Sequence, residues 1–126
     1  KKVLDEAIKK YPVDENRIYI AGLSMGGMGT FDMLCRYPNL FAAAIPICGG
    51  VNIERLGKIK TGTNIRIYHG DADTVVPVTY SREAYKVLKQ NGVNVEYIEY
   101  PGVNHDSWTP AFNEDDFMAW LFGQRK

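Results

Sequence analysis

Four short apolar segments alternate with longer, helix-compatible segments along this 126-residue chain. Each apolar segment has the length and bounding turn residues of a buried strand; they span 17–22, 41–47, 65–68 and 95–100. The segments compatible with helices span 1–11, 26–37, 80–89 and 111–122, and a further turn of helix is expected near 53–56. This alternation predicts one α/β domain, a parallel sheet of about four strands flanked by helices.

The last predicted helix, 111–122, has a recognisable start. Pro110 suits the first turn of a helix, where its missing N–H costs no hydrogen bond. Three consecutive acids suit the positive N-terminal end of a helix, namely Glu114, Asp115 and Asp116. We therefore expect a continuous helix to close the chain.

Composition excludes several classes of function. Lys plus Arg number 15 and Asp plus Glu number 15, so the chain has no net charge and no basic stripe for nucleic acid. The longest apolar run, 41–48, is far shorter than the roughly 20 residues of a membrane span. An aromatic fraction of 12% and a hydrophobic fraction of 45% indicate a globular domain rather than a disordered segment.

The two cysteines are too few for a disulfide scaffold. Cys35 and Cys48 both lie in apolar runs, so they are either buried free thiols or one bridge. Neither has metal-ligand spacing to the other or to His69 and His105. The sequence therefore predicts no metal site.

The most informative motif is a G-x-S-x-G sequence centred on Ser24, between a predicted strand and a predicted helix. Small residues on both sides let the chain turn sharply and expose the Ser24 hydroxyl at the end of the strand. The helix that follows points its first N–H groups at the same place. Taken alone, the motif is equally compatible with a glycine-rich turn whose serine is structural.

A serine hydroxyl needs a base and a carboxylate to become a nucleophile, and later segments offer both. The third predicted strand leads into the acids Asp71 and Asp73, and the fourth leads into a loop that holds His105. The carboxyl ends of parallel strands lie side by side, so these groups can converge on Ser24 although they are far apart in sequence.

Three segments together resemble the α/β-hydrolase superfamily: 22–27 (GLSMGG), 69–77 (HGDADTVVP) and 102–108 (GVNHDSW). The chain is similar to the C-terminal half of the bacterial esterase branch, which includes dienelactone hydrolases, phospholipase/carboxylesterases and feruloyl-esterase-like proteins. The resemblance implies that Ser24 is the nucleophile, Asp73 the orienting acid and His105 the general base. It also implies that the Met25 backbone N–H forms part of an oxyanion hole.

This resemblance implies a serine hydrolase of carboxylic esters that acts through an acyl-enzyme and needs no metal or organic cofactor. Its substrate is expected to be a small-molecule or carbohydrate-linked ester, with acetyl or feruloyl groups favoured. Two alternatives stay open, a serine peptidase of the prolyl-oligopeptidase type and a non-catalytic interaction domain of the same fold.

Neighbouring residues offer alternatives to these roles. Asp71 could be the acid, although the family's H-G-x-x-D pattern falls on Asp73, and Asp71 then is a turn or cap residue. His69 precedes the acid and is interpreted as structural, and Asp106 as an exposed loop acid. Trp108 either binds substrate or anchors the loop against the last helix.

One departure from the family pattern concerns the residues upstream of Ser24. In this fold the sharp turn that holds the nucleophile, here Ser24, is called the elbow. The second oxyanion N–H comes from a loop in the half of the fold that precedes the elbow, and no H-G-G segment of that kind precedes Ser24 here. Residues 1–126 are therefore expected to form a partial domain, with the elbow strand at an uncovered sheet edge. Its expected partner is the missing N-terminal half or another copy of the chain, and the parent protein is expected to be extracellular or periplasmic.

Overall fold

A sheet of four parallel strands organises the computed structural model, which describes residues 1–126. The spatial order of the strands follows the chain: β1 (Tyr19–Leu23), β2 (Ala43–Ile47), β3 (Asn64–Gly70) and β4 (Val95–Tyr100). The helices are α1 (Lys2–Lys10), α2 (Met25–Arg36), α3 (Ile53–Leu56), α4 (Thr79–Gln90), α5 (Trp108–Phe112) and α6 (Phe117–Phe122). The predicted fold class, a four-stranded parallel sheet flanked by helices, is confirmed.

The core lies on both faces of the sheet, because successive side chains of a strand point to opposite faces. Ile65 and Ile67 of β3 face one side, where Phe31 and Leu34 of α2 and Leu88 of α4 pack on them. The other face holds the second core cluster, which includes Ile45, Ile47, Tyr68, Ala111, Phe117 and Leu121. Both faces of β2 and most of β3 are therefore covered, as their unbroken apolar sequence predicts.

The β1 edge of the sheet is less deeply buried than its centre. β1 pairs only with β2, and Tyr19 and Ile20 are half-buried whereas every residue of β2 is buried. The neighbouring helix α1 has no buried residue, and Val3 on its surface is 80% exposed. None of the six helices combines the length and the apolar composition that crossing a bilayer requires.

The predicted continuous helix over 111–122 is wrong. The structure has two short helices, α5 and α6, with a turn over residues 113–116 between them. Tertiary contacts hold the acids of this turn: Glu114 accepts a hydrogen bond from the Tyr100 hydroxyl at 2.7 Å, and Asp116 binds Arg66 at 3.0 Å. These partners lie on the sheet, so they fix the turn in a way that local sequence does not encode.

We predict a stability cost at Gly70, where β3 ends against the backbone of the loop after β4. A Cβ at this position would lie 2.1 Å from the carbonyl oxygen of Val103. Gly70→Ala should lower the free energy of unfolding by about 1–3 kcal/mol, because the loop must move to relieve the overlap. Urea denaturation followed by circular dichroism measures the change.

The matched control is Gly29→Ala on the exposed surface of α2, where a Cβ meets no atom within 4 Å. This variant should gain about 0.5–1 kcal/mol, because alanine is the better helix former. Equal stability of Gly70→Ala and the wild type would contradict the close contact.

Candidate active site

Ser24 occupies the sharp turn between β1 and α2. Its backbone has φ 53° and ψ −114°, a conformation that non-glycine residues rarely adopt. Its N–H donates to the carbonyl oxygen of Ile47 at 2.9 Å, which ties the turn to β2. A Cβ on Gly22 would lie 2.2 Å from the carbonyl oxygen of Gly26, so the turn requires glycine there. The G-x-S-x-G spacing thus has a direct steric reason.

Asp73 follows β3, and its side chain has no exposed surface. One carboxylate oxygen accepts the backbone N–H groups of Val75 and Val76, both at 2.8 Å. The other lies 2.8 Å from Nδ1 of His105 and 3.1 Å from Nε2 of His69. Four hydrogen-bond donors therefore surround a carboxylate that is buried from solvent.

His105 lies in the loop after β4 and connects Asp73 to Ser24. Its Nε2 is 2.7 Å from the Ser24 hydroxyl oxygen. Because Nδ1 donates its hydrogen to Asp73, Nε2 is the unprotonated nitrogen and accepts a hydrogen bond from the Ser24 hydroxyl. Asn104 holds this loop against the loop after β3, since its side-chain oxygen accepts the N–H groups of Thr74 at 3.0 Å and His105 at 2.8 Å.

These contacts determine the ionisation of Asp73. Burial by itself would raise the pKa of this carboxyl group. The hydrogen bond from His105 and the N–H groups of Val76 and Val75 outweigh burial, so the pKa of Asp73 falls below the ordinary 3.8. Asp73 is therefore a carboxylate at neutral pH.

Of the neighbouring residues that offered alternatives, Asp71 and Asp106 lie away from His105, whereas Trp108 lies beside it. Asp71 is exposed and accepts the Gly102 N–H at 2.7 Å, and no hydrogen bond joins it to a histidine. Asp106 is exposed. The Trp108 ring stands edge-on to His105, with 5.5 Å between the ring centroids, and is half-buried. Trp108 therefore touches the site as well as beginning α5.

His69 contacts the site more directly than its interpretation as a structural residue anticipated. It is fully buried, and its Nε2 lies 2.8 Å from the carbonyl oxygen of Val76, so that nitrogen carries a hydrogen. The same hydrogen faces Asp73, while Nδ1 lies 2.6 Å from the Ser81 hydroxyl oxygen. The one sequence feature that indicates the contact between His69 and Asp73 is their spacing of four residues.

Met25 is the first residue of α2, so its N–H belongs to the group that has no partner within the helix. It lies directly beside the Ser24 turn at the positive end of the helix. The Met25 side chain is 84% exposed. Its backbone can contribute to an anion site, whereas its side chain contacts little of the protein.

A cavity of about 640 Å³ opens beside this arrangement. It begins at Met28, one helical turn after Ser24, and at Val75 and Val76, which bind the Asp73 carboxylate. Its remaining lining residues are Phe31, Asp32, Cys35, Gly50, Val51, Asn52, Arg55, Pro77 and Tyr80. Its volume is that of pockets that hold small organic ligands, and most of its lining is apolar.

Both cysteines are free thiols. Cys48 follows β2 and is fully buried, and its sulfur belongs to a cluster with Asp73 and His105. One donor atom from each of the three residues lies within 4.8 Å of the others. The cluster could hold a metal ion, which the sequence spacing did not predict because the three residues come from different strands.

A parallel sheet whose carboxyl edge joins a serine at a strand–helix turn to a histidine and a carboxylate is typical of the α/β-hydrolase fold. The chain belongs to the phospholipase/carboxylesterase family, whose profile matches residues 1–115. Its relatives are named as esterases, carboxylesterases and thioesterases, so the family is one of carboxylic ester hydrolases. The resemblance seen in the sequence is confirmed at this level.

Three similar proteins define the extent of the likeness. A thermostable esterase of known structure is 40% identical, with a TM-score of 0.89, over 99% of this chain and 35% of its own. Acyl-protein thioesterase 1 of Neurospora crassa is 32% identical over 85% of this chain and 47% of its own. The bifunctional acetylxylan esterase/xylanase XynS20E of Neocallimastix patriciarum is 35% identical over 60% of this chain and 11% of its own. The chain spans less than half the length of each of these three proteins.

The lowered pKa of Asp73 predicts a pH-dependent contribution to stability. A carboxylate whose folded pKa lies below its unfolded value stabilises the fold above about pH 4, and this stabilisation is lost as pH falls through the folded value. Asp73→Asn should therefore lower the free energy of unfolding by about 1–3 kcal/mol near neutral pH. The difference from the wild type should shrink below about pH 4.

Urea denaturation at a series of pH values measures this difference. The control is Asp71→Asn, which changes an exposed carboxylate of the same loop that no histidine contacts. A constant difference between the Asp73→Asn variant and the wild type across the series would contradict the predicted linkage.

Proposed function

We propose that the protein hydrolyses carboxylic esters through an acyl-enzyme formed on Ser24, with His105 as the base and Asp73 as the orienting acid. The observation that carries this proposal is the continuous hydrogen-bonded path from Ser24 through His105 to Asp73, with heavy-atom distances of 2.7 and 2.8 Å. Both lie within the range in which a proton moves between donor and acceptor. Family membership supports the reaction class.

In the first half-reaction, the Ser24 hydroxyl oxygen attacks the ester carbonyl carbon while Nε2 of His105 takes the hydroxyl proton. Asp73 keeps the ring in the required tautomer and stabilises its positive charge. When the carbonyl re-forms, the ester C–O bond breaks and His105 returns the proton to the departing alcohol. In the second half-reaction, water replaces the alcohol and the same groups release the carboxylic acid.

The negative charge of the tetrahedral intermediate falls on the former carbonyl oxygen, and we propose that the Met25 N–H donates a hydrogen bond to it. We propose that a second N–H donor comes from outside residues 1–126. We further propose that outside strands pair with the free edge of β1, either from the parent chain or from a second copy. The half-buried Tyr19 and Ile20 and the exposed Met25 support this arrangement. A soluble, well-folded monomer made only of residues 1–126 would contradict it.

Ser24→Ala should abolish labelling by a fluorophosphonate probe, because the activated hydroxyl is removed. Turnover of a short-chain p-nitrophenyl ester by the parent protein should fall by more than about 10⁴-fold. Gel fluorescence measures the first result and absorbance the second. Unchanged labelling or turnover would contradict the role of Ser24 and favour the interaction-domain alternative.

The carboxylate assignment has a matched pair of variants. Asp73→Asn should lower turnover by about 10⁴-fold, because the wrong tautomer of His105 is favoured, and Asp71→Asn should keep most of it. The reverse order would transfer the role to Asp71. A peptide amide hydrolysed faster than the ester would favour the peptidase alternative.

We propose that the 640 Å³ cavity binds the acyl group of the substrate and that Trp108 contacts the alcohol side. The cavity starts one helical turn from Ser24 and has an apolar lining, which suits acyl groups longer than acetyl. Trp108 beside His105 offers a flat surface on which a sugar ring can stack. The names of the relatives, which include an acetylxylan esterase, agree with a carbohydrate-linked ester.

Gly50→Val tests the cavity. A Cβ at residue 50 would meet the flexible end of Met28 at 3.3 Å and no backbone atom within 4 Å, so a larger side chain there narrows the cavity. The kcat/KM for a p-nitrophenyl octanoate should fall by about tenfold relative to the acetate. Gly62→Val is the control, because residue 62 is exposed and outside the cavity. An unchanged ratio in the Gly50→Val variant would contradict the proposal.

A further inference from the structure

A buried thiol lies beside the proposed catalytic pair and has no part in acyl transfer. The sulfur of Cys48, a carboxylate oxygen of Asp73 and a ring nitrogen of His105 lie within 4.8 Å of one another. Cys48 has no exposed surface, whereas the His105 side chain is 19% exposed. His105 is therefore the solvent-accessible member of this cluster.

The position of this thiol is fixed by the backbone. Cys48 has φ 44°, and Ser24 and Cys48 are the two non-glycine residues with positive φ in the chain. Its N–H donates to the carbonyl oxygen of Tyr68 at 2.8 Å, which holds the bend against β3. A conformation of this kind is unfavourable for an L-residue and persists because its neighbours hold it.

Two polar groups lie close to the same sulfur. Burial raises the pKa of the Cys48 thiol, while the backbone N–H of Ser24 and the hydroxyl of Ser107 act on it in the opposite direction. Ser107 is fully buried, and its hydroxyl has no hydrogen-bond partner among the other polar groups of the protein. Burial prevails, so the pKa of the Cys48 thiol lies above its ordinary 9.0.

Sulfur, imidazole and carboxylate are the donors that Zn²⁺ and Cd²⁺ take, and hard ions such as Mg²⁺ avoid sulfur. Tetrahedral bond lengths of 2.0–2.3 Å place the ligand atoms about 3.3–3.8 Å apart. To reach that geometry, separations of up to 4.8 Å must shorten by about 1 Å, and the 2.8 Å contact between Asp73 and Nδ1 of His105 must lengthen by about 0.5 Å. The charges also balance, because a thiolate and a carboxylate offset a divalent cation.

We propose that Cys48, Asp73 and His105 form an inhibitory binding site for a thiophilic divalent cation. The cation displaces the thiol proton to solvent and binds the His105 nitrogen that faces Asp73. The single proton of the neutral ring then resides on Nε2, which can no longer accept the proton of Ser24. Binding and turnover thereby exclude each other.

The test titrates the purified protein with Cd²⁺ and records the ultraviolet charge-transfer absorption of a cadmium–thiolate bond. We expect a band that saturates at one equivalent in the wild type, in Cys35→Ser and in Ser24→Ala. Cys48→Ser and Cys48→Ala should lose the band, and His105→Gln should weaken binding by at least about tenfold. Mg²⁺ should not compete.

Circular dichroism establishes that the Cys48 variants fold, and either of the two suffices for the comparison. A band that disappears with Cys35 instead of Cys48, or that is indifferent to His105→Gln, would overturn the proposal. Because Ser24→Ala keeps the metal site, the absorption result is independent of esterase activity.

A second experiment measures inhibition of the active parent protein by Zn²⁺. Zn²⁺ should inhibit the Cys35→Ser variant, and a chelator should restore its activity, whereas the Cys48→Ala variant should not be inhibited. Equal inhibition of both would also overturn the proposal.

Discussion

The buried carboxylate of Asp73 is the constraint on which the geometry of the site depends. An ionised oxygen pair without water is tolerated only when protein donors replace the water. Here the donors come from its own loop, from His69 on β3 and from His105 after β4. These segments are held in one arrangement because moving any of them leaves a buried charge without its partner. The orientation of His105 toward Ser24 is then a consequence of how that charge is satisfied.

The parallel sheet explains why these groups can meet at all. All strand ends of one polarity lie along a common edge, and each of the four strands delivers one residue there. β1 leads to Ser24, β2 to Cys48, β3 to Asp73 and β4 to the loop of His105. The residues are separated by 24 or more positions in sequence, yet the strand order β1-β2-β3-β4 brings their side chains together. An antiparallel arrangement would send every second loop to the opposite edge.

Local sequence was sufficient for the elements whose boundaries depend on local chemistry. Short apolar runs between turn residues predicted the four strands, and Gly22 marks the elbow because a side chain does not fit there. Local sequence was insufficient for features that depend on contacts with residues distant in the chain. The division of the last helix depends on Arg66 and Tyr100, which contact its acids from the sheet. The position of Cys48 depends on a positive φ at a residue that is not glycine, and the contact of His69 with Asp73 depends on how the following loop folds back.

Two adjacent strands, β1 and β2, run directly into residues with left-handed backbone, Ser24 and Cys48. Such conformations persist only while the surrounding contacts hold them, so part of the folding free energy of the domain is spent on its reactive rim. On heating, Ser24 and Cys48 are consequently the first positions at which the backbone can relax to a lower-energy conformation. On warming, the serine turn is expected to relax while the sheet beneath it is still intact, and chemical competence to disappear before the helical and strand content does.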